Sequence, residues 1–358
     1  MHWFCHAGYV PVQAGSPRSG LRGRLLAAGG ALGAALVLGC ALPADAEETA
    51  AAPATRCQVT DPALSELSGL VVMGEQMLAL NDGGDQLAVH LLDGTCQVVD
   101  VHTAGIDPYD PEDLAVAADG TVWVADTGDN NANRPTVALL ALRPDGRNSV
   151  YRLTYPDGPH DAEALLLAPA GTPYIVTKEV LGASSVFRPA AALVDGGTVA
   201  LAQVAGVGIT LTGTPGGPVG QAGQLLVTGG AVSADGRHLA LRTYTDAYVW
   251  PLTGSDIPAA LAGQSERIPL PESPQGEAIS FSADNANLVV ASEGLPSDVT
   301  VVPLTAVAIA AAPPAAEGAV PSFADLTSSG LSPISSALIA AVVATVVVWI
   351  SGKLRRRP

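Results

Sequence analysis

Acidic side chains stand at matching places in four of the five copies of one sequence pattern, and two cations occupy such places in the third and fourth copies. These ligand-binding candidates are Asp82, Glu112, Asp126, Glu163, Lys178, Arg242, Glu277 and Glu293. If the fold gathers them, two cations cannot neutralise six carboxylates. Either several carboxyl pKa values rise or a divalent cation binds. Oxygen ligands favour Ca²⁺ or Mg²⁺ over zinc.

The segment 126–133 has the densest oxygen-bearing sequence, Asp-Thr-Gly-Asp-Asn-Asn-Ala-Asn. It does not have EF-hand spacing, because the twelfth position is Val137, which cannot ligate a metal. A tight turn closed by its own Asn and Asp side chains accounts for it equally well. The candidate metal ligands, with Ca²⁺ as the possible cofactor, are Glu112, Asp126, Asp129 and Glu277.

The five copies each read as a β-hairpin, with apolar alternation on both sides of a turn. Their turns include Asp119-Gly120, Ala170-Gly171, Asp235-Gly236 and Asp284-Asn285. The copies start 44, 51, 67 and 47 residues apart. A period of about 40–50 residues with several short strands is typical of propeller blades.

The sequence therefore predicts an all-β fold, a β-propeller over residues 57–305 with five blades. Six blades are the alternative, because the 67-residue spacing leaves room for another blade around residues 207–223. The last copy lacks a fourth strand, which the segment near Cys57–Val59 could supply to close the ring. A β-sandwich is a second alternative, although it does not explain why the same hairpin pattern recurs along the chain. In a hairpin both ends reach one edge, so the acidic candidates would line one mouth of the channel.

The carboxylates also have a purely structural interpretation, in which each binds backbone N–H groups of the next blade. A ligand site, catalysis and this structural role all remain open at this point. His160 stands beside Glu163, but no two histidines of the mature chain have metal-ligand spacing. The sequence contains no nucleophile elbow, Walker A loop or dinucleotide fingerprint.

The two ends of the chain predict export and membrane attachment. Residues 1–46 read as a signal peptide, with an apolar run after Arg24 and a small-x-small site at Ala44–Ala46. Residues 306–333 form a Pro/Ala-rich stalk, 334–350 a transmembrane helix and 351–358 a basic cytoplasmic tail. This arrangement places a single-pass protein in the cell membrane with its ectodomain outside. The stretch that ends at Cys40 is a weak lipoprotein-like signal, and lipidation of Cys40 is the alternative.

The charge of the exported part limits its partners. Residues 47–333 carry 10 Lys or Arg against 33 Asp or Glu, so nucleic acid is excluded as a partner. We expect a monomer that contacts the membrane through its C-terminal helix and that meets a cell-wall component or a protein. Cys57 and Cys96 are the two cysteines left after signal removal, and an oxidising compartment predicts that they pair.

Several of these segments resemble known propeller sequences. Residues 67–70, 111–116 and 119–126 are similar to blades of the broad extracytoplasmic propeller group, which includes NHL-like, SMP-30/gluconolactonase-like and phytase-esterase-like proteins. Residues 126–130 followed by Arg134 resemble secreted or membrane-anchored actinobacterial propellers of unestablished function. Some SMP-30-like proteins use Glu, Asn and Asp ligands at the channel, which implies such roles for Glu112, Asp126 and Glu277 only.

Two functions follow from these observations. The first is a membrane-anchored extracytoplasmic binding or interaction module with an acidic mouth, for which Ca²⁺ is the candidate ligand. The alternative is a metal-dependent hydrolase, a lactonase or phosphoesterase, with its site at the same mouth. The sequence leaves open whether the protein is an enzyme.

Overall fold

The computed structural model describes residues 51–304, which form twenty β-strands and one short α-helix. The helix, α1 (Ile257–Leu261), begins after Asp256, whose side chain accepts a hydrogen bond from Ala259 N. The predicted signal peptide, stalk, transmembrane helix and basic tail lie outside the described residues. No helix within residues 51–304 is long and apolar enough to cross a membrane.

The strands form antiparallel units of four, taken in chain order. Unit one comprises β2 (Leu67–Met73), β3 (Gln76–Asn81), β4 (Ala88–Leu92) and β5 (Val98–Thr103). Unit two comprises β6 (Pro111–Val116), β7 (Val122–Asp126), β8 (Val137–Leu142) and β9 (Asn148–Thr154). Unit three comprises β10 (Ala162–Leu167), β11 (Pro173–Thr177), β12 (Ala183–Pro189) and β13 (Thr198–Gly208). Unit four comprises β14 (Val227–Val232), β15 (His238–Thr243), β16 (Asp246–Pro251) and β17 (Glu266–Pro269).

The fifth unit joins the two ends of the described chain. It contains β18 (Gln275–Phe281), β19 (Asn287–Glu293) and β20 (Ser297–Pro303), and β1 (Ala54–Val59) pairs with β20 as its fourth strand. The early segment around Cys57 thus supplies the strand that the last copy lacks. Pairing the first strand with the last unit ties the ends of the ring together.

Units two and three are joined into one sheet of eight strands. The long strand β13 pairs in parallel with β9, through Thr198–Ala200 against Arg152–Thr154. Every other strand pair in the described residues is antiparallel.

The hydrophobic core lies between the units in five separate clusters, and their order shows a closed ring. Leu80 of unit one packs with Leu140 of unit two, and similar clusters join units two and three, three and four, and four and five. The fifth cluster contains Met77 of unit one with Val289 and Val299 of unit five. Each unit buries one sheet face against each neighbour, which is the packing of a propeller-like all-β fold.

The long spacing between the third and fourth copies comes from an extended loop between β13 and β14. Residues 209–226 between β13 and β14 contain a 3-10 turn, Gly220–Gln224, and no strand. Asp246 of β16 holds this loop, because its carboxylate accepts hydrogen bonds from the Thr212 hydroxyl at 2.8 Å and the Thr214 hydroxyl at 2.7 Å.

Cys57 and Cys96 form the predicted disulfide, with Cα atoms 5.8 Å apart. Cys57 lies in β1 of unit five, and Cys96 lies in the turn between β4 and β5 of unit one. The bond therefore crosses the junction at which the ring closes. It adds a covalent link where the other junctions have apolar packing and hydrogen bonds.

Candidate functional site

The first strand of every unit is irregular at the same place, near the central axis. Pairing with the second strand shifts register at Leu67/Gly69, Pro111/Asp113, Ala162/Ala164, Val227/Gly229 and Gly276/Ile279. In four units the unpaired residues are Ser68, Glu112, Glu163 and Thr228, and in unit five the irregular stretch contains Glu277. A bulge re-aims its side chain away from the ladder, so three glutamates are directed to one mouth of the ring.

Glu163 forms the first group of carboxylates in this mouth, with Glu112 and Asp161. One oxygen from each lies within 4.8 Å of the others. Glu163 is only 2% exposed, and its Oε1 forms an ion pair with Lys178 Nζ. Its Oε2 is buried and has no hydrogen-bond partner among residues 51–304. A buried carboxylate oxygen without a donor is costly, so this atom requires a proton or a cation.

Asp82 and Asp110 form a second group with the same Glu112. Again one oxygen from each lies within 4.8 Å of the others, and the carboxyls of Asp82 and Asp110 are in hydrogen-bonding contact. Gly128 provides the space for this group. A Cβ on Gly128 would lie 2.0 Å from Glu112 Oε1 and 2.5 Å from Asp110 Oδ2.

The end of β7 and the loop that follows it position the carboxylates of both groups. Asp126 Oδ1 accepts a hydrogen bond from Asp110 N at 2.9 Å and forms an ion pair with Arg134 at 2.9 Å. Asp129 Oδ2 accepts hydrogen bonds from the backbone N–H groups of Asn133 and Arg134, both at 2.7 Å. The backbone N–H of Asp129 donates to Asp161 Oδ1 at 2.8 Å. Asp126 and Asp129 thus form the turn that orients Asp110 and Asp161.

Glu277 and Glu293 form the third side of the mouth. Their carboxyls are in hydrogen-bonding contact, and Gln275 Nε2 donates to Glu293 Oε2 and, at 3.3 Å, to Glu277 Oε1. Lys178 completes the wall, with its Nζ 5.4 Å from the centre of the Tyr244 ring.

The pKa values show how crowded the mouth is. Burial, followed by the charge of Asp110, raises the pKa of Asp82 to about 8. Burial, followed by the charges of Glu163 and Glu293, raises the pKa of Glu277 to about 9. Burial raises the pKa of Glu163 to about 7 even though Lys178 opposes the shift. Several of these carboxyls therefore hold protons at neutral pH when no cation is bound.

Glu112 lies among these crowded carboxyl groups. Burial, then the charges of Glu163, Asp82 and Asp110, raises its pKa well above the usual value. Burial lowers the pKa of Lys178, but Glu163 and Tyr244 more than offset it, so the lysine keeps its charge.

Arg242, the second cation of the sequence candidates, does not face the open mouth. It is 1% exposed, and its guanidinium donates to the backbone carbonyls of Ala278 at 2.8 Å and Ala291 at 3.1 Å. Burial lowers its pKa to about 10. It joins unit four to unit five, which is the structural role that the sequence left open for such residues.

Asp113, the residue that follows Glu112 in the chain, also has a structural role. Its buried carboxylate accepts hydrogen bonds from Leu114 N and Leu165 N at 2.8 Å and from Gly230 N at 3.2 Å. These donors belong to the first strands of units two, three and four. Asp113 therefore binds three units together around the axis.

The sequence candidates omitted Asp110 and Asp161. Both stand two residues before a bulge glutamate, in Asp110-Pro111-Glu112 and Asp161-Ala162-Glu163, and Gln275-Gly276-Glu277 has the same spacing. This repeated spacing of a polar residue two positions before a glutamate is the sequence signal that could have identified Asp110 and Asp161. The spacing alone does not give their positions in the mouth. In a regular strand, residues at positions i and i+2 share a face, and the bulge changes that relation.

The opposite end of the channel is different. A cavity of about 510 Å³ opens there, lined by the far ends of the same first strands and by their turns. Its lining includes Val72, Val116, Val232 and Phe281.

No protein-family model matches this chain. No curated protein matches it either. A gluconolactonase from Xanthomonas campestris is similar in structure, with 18% identity, a TM-score of 0.37 and coverage of 64% of this chain and 69% of that one. A virginiamycin B lyase from Staphylococcus aureus has 10% identity, a TM-score of 0.36 and coverage of 69% and 73%. A putative 6-phosphogluconolactonase from Bacteroides uniformis has 15% identity, a TM-score of 0.37 and coverage of 71% and 72%.

Proposed function

We propose that this chain is a five-bladed propeller that binds a divalent cation, Ca²⁺ or Mg²⁺, at its acidic mouth and hydrolyses an ester or lactone there. The observation that carries this proposal is Glu163 Oε2, a buried carboxylate oxygen that has no hydrogen-bond donor among residues 51–304. The same carboxylate has an oxygen within 4.8 Å of oxygens of Glu112 and Asp161. Oxygen-only donors fit a hard cation. The space left by Gly128 keeps the neighbouring carboxylates accessible.

The residues of the mouth have distinct roles in such a reaction. A bound cation would polarise the substrate carbonyl and lower the pKa of a bound water. Glu112, Asp161 and Glu163 would hold the cation. Glu277, with its pKa raised to about 9 by burial, carries a proton at neutral pH that it can donate to the leaving alkoxide. Lys178 keeps its positive charge on the wall beside Glu163.

The charges of the mouth favour an uncharged substrate over a phosphoester. Lys178 is held by Glu163, and Arg134 is held by Asp126. The surrounding carboxylates would repel a phosphate group. A lactone or neutral ester is therefore the substrate class that this mouth admits.

Calcium and magnesium titrations of the purified, chelator-treated full chain test the cation step. We expect micromolar binding by calorimetry and a higher melting temperature, both lost in Glu163→Gln. Glu75→Gln is the matched control, because the Glu75 side chain is 98% exposed. Absence of binding by the wild type up to millimolar concentrations would contradict the proposal.

A substrate panel tests the chemical step. Cation-dependent hydrolysis of lactones or aryl esters, with little hydrolysis of a phosphomonoester, is the expected result. Cation binding without any hydrolysis would leave a binding module in place of an enzyme.

One observation favours that second function. Five exposed apolar side chains lie on loops at the mouth face, namely Tyr109, Val180, Leu181, Val219 and Leu295. Apolar groups around a polar centre are common at interaction surfaces. Co-sedimentation with purified cell walls tests this function, with Tyr109→Ser and Leu181→Ser expected to weaken retention.

The predicted export signal and C-terminal helix would place this mouth outside the cell. Protease treatment of intact cells tests that placement. Degradation of the residues around the mouth in intact cells is expected, whereas protection until lysis would contradict it.

A further inference from the structure

A cleft of about 530 Å³ lies between units four and five. One wall is the segment 269–274, which leads from β17 to β18, and the other is formed by β1, β19 and β20 of unit five. The prolines that line the cleft are Pro53, Pro269, Pro271, Pro274 and Pro296. Because proline has no backbone N–H, these positions offer apolar contact and no backbone donor to a ligand.

Arg242 of β15 borders this cleft with a buried guanidinium. Its Nη1 donates to the carbonyls of Ala278 and Ala291, and its Nε donates to the carbonyl of Thr243 at 3.2 Å. Nη2 donates to no acceptor among residues 51–304, and no carboxylate of these residues forms an ion pair with Arg242. A buried charge without a counter-ion is costly, so this guanidinium is complementary to an anionic group in the cleft.

Gly276 leaves room for a second donor beside Arg242. A Cβ on Gly276 would lie 2.0 Å from Arg242 Nη2 and 2.7 Å from Ser273 Oγ, so both atoms lie next to the same point above the Gly276 backbone. Ser273 also lines the cleft. A guanidinium N–H and a serine hydroxyl can both donate to one carboxylate, and the hydrogen bond from the guanidinium is charge-assisted.

Negative charges lie on the rim of the same cleft. Glu272 and Asp298 both line it, and both are exposed. These carboxylates would repel a ligand with several negative charges, whereas they would attract an ammonium group. A ligand that carries one carboxylate and one ammonium therefore matches both parts of the cleft. The volume is in the range of pockets that hold small molecules.

We infer that this cleft binds a short peptide whose two ends are free. Arg242 Nη2 and the Ser273 hydroxyl donate to its C-terminal carboxylate, its α-ammonium lies toward Glu272, and the proline wall contacts its apolar side chains. The inference goes beyond the proposed hydrolysis, because Glu112, Asp161 and Glu163 do not line this cleft.

Calorimetric titration of the full chain with the dipeptide alanyl-alanine tests this inference. We expect saturable binding of one dipeptide per chain in the micromolar to millimolar range. The dipeptide amide should bind more weakly by a factor of about ten or greater, because it cannot accept charge-assisted hydrogen bonds as a carboxylate does. The N-acetylated dipeptide should also bind more weakly, because it has no ammonium to lie near Glu272.

Four variants locate the site. Ser273→Ala should weaken dipeptide binding several-fold, whereas Ser265→Ala, at a half-buried serine that does not line the cleft, is the matched control and should bind like the wild type. Glu272→Gln should remove the preference for the free over the acetylated amino end. Arg242→Lys keeps the charge but has no planar guanidinium fork, so it should lose most of the affinity.

The outcomes separate this inference from the proposed function. No dipeptide binding by the wild type, equal affinity for the dipeptide and its amide, or wild-type affinity in Ser273→Ala would overturn the inference. Glu163→Gln should lose the cation at the mouth and keep dipeptide binding, so either proposal can fail alone. Ser273 is half-buried and Glu272 is exposed, so their variants keep the test valid if the buried Arg242→Lys variant does not fold.

Discussion

The two ends of the central channel are built by the same five strands, yet they differ in chemistry. At the mouth the first strands begin with bulges that carry Glu112, Glu163 and Glu277. At the opposite end the same strands finish in apolar residues such as Val72 and Val116, around a cavity of about 510 Å³. Long loops such as 209–226 and 127–136 cover the mouth face, whereas tight turns connect the first two strands of each unit at the other end, where the connections 190–197 and 252–265 are the longer ones.

The difference shows which connections can support a site. A long loop can send backbone N–H groups and a second layer of side chains toward the mouth, as the loop after β7 does for Asp110 and Asp161. A tight turn uses its polar groups to close itself: Asp119 Oδ1 accepts from Thr121 N at 2.9 Å, and Gly120 has a φ of 83°. The structure of the mouth therefore depends on charged and hydrogen-bonded groups, whereas the opposite end depends on apolar packing and on the disulfide.

The largest expected effect concerns covalent closure, on the side of the tight turns. Cys57→Ser with Cys96→Ser removes a bond between residues separated by 39 positions. In the chain-entropy model this lowers the free energy of unfolding by about 4 kcal/mol. Denaturant titration measures it, and the loss should not change between pH 5 and pH 8. A strongly pH-dependent loss would mean that the two ends of the channel are not independent.

The next effect belongs to the mouth alone. The folded-state pKa values of Asp82, Glu163 and Glu277 are raised to about 8, about 7 and about 9. The folded state therefore holds more protons than the unfolded state, so the metal-free protein loses stability as the pH rises from about 4 toward 9. We expect the melting temperature to fall by roughly 5 °C or more between pH 5 and pH 8.5.

Added calcium should reverse that fall at pH 8.5 and have little effect at pH 5, because protons and cations compete for the same carboxylates. Calorimetric melting in chelator and in calcium measures both results. A melting temperature that rises with pH in chelator would contradict the crowded-carboxylate interpretation of the mouth.

A smaller effect is expected from Gly128→Ala. Its Cβ would lie 2.0 Å from Glu112 Oε1, so the Glu112 carboxylate must move. We expect cation affinity to fall on the order of 10–100-fold, as when residues around a metal site are changed. Gly105→Ala is the control, since a Cβ there meets no atom of the described part of the chain within 4 Å. Equal affinity in the two variants, measured by calorimetry, would show that Gly128 does not shape the site.

The smallest effect is expected at the opposite end. Val72→Thr places a hydroxyl at the partly exposed lining of the apolar cavity. Because the site is not fully buried, we expect the free energy of unfolding to change by less than about 1 kcal/mol, with cation affinity unchanged. A change in calcium affinity beyond about two-fold would indicate coupling between the two ends of the channel.

The hairpins, their order and the closing strand were predictable from the sequence. Period-2 alternation and turn residues such as Asp119-Gly120 are local signals, and a repeat near 47 residues leaves few folds that bury all the units. The pairing of Cys57 with Cys96 followed from the even number of cysteines in an exported chain. The export signal and the membrane helix stay predictions.

The tertiary structure alone decided what each polar residue does at the mouth. Asp126 and Asp129 look like metal ligands in the sequence. In the structure, Asp126 Oδ1 accepts a hydrogen bond from the Arg134 guanidinium, and Asp129 Oδ2 accepts hydrogen bonds from backbone N–H groups. Arg242 lies at the matching place in its unit, and yet its guanidinium donates to carbonyls of the next unit. The physical reason is that these partners come from other loops and other units. Sequence periodicity reports which face a side chain takes within its own hairpin, and it carries no information about which donor or acceptor the neighbouring unit presents.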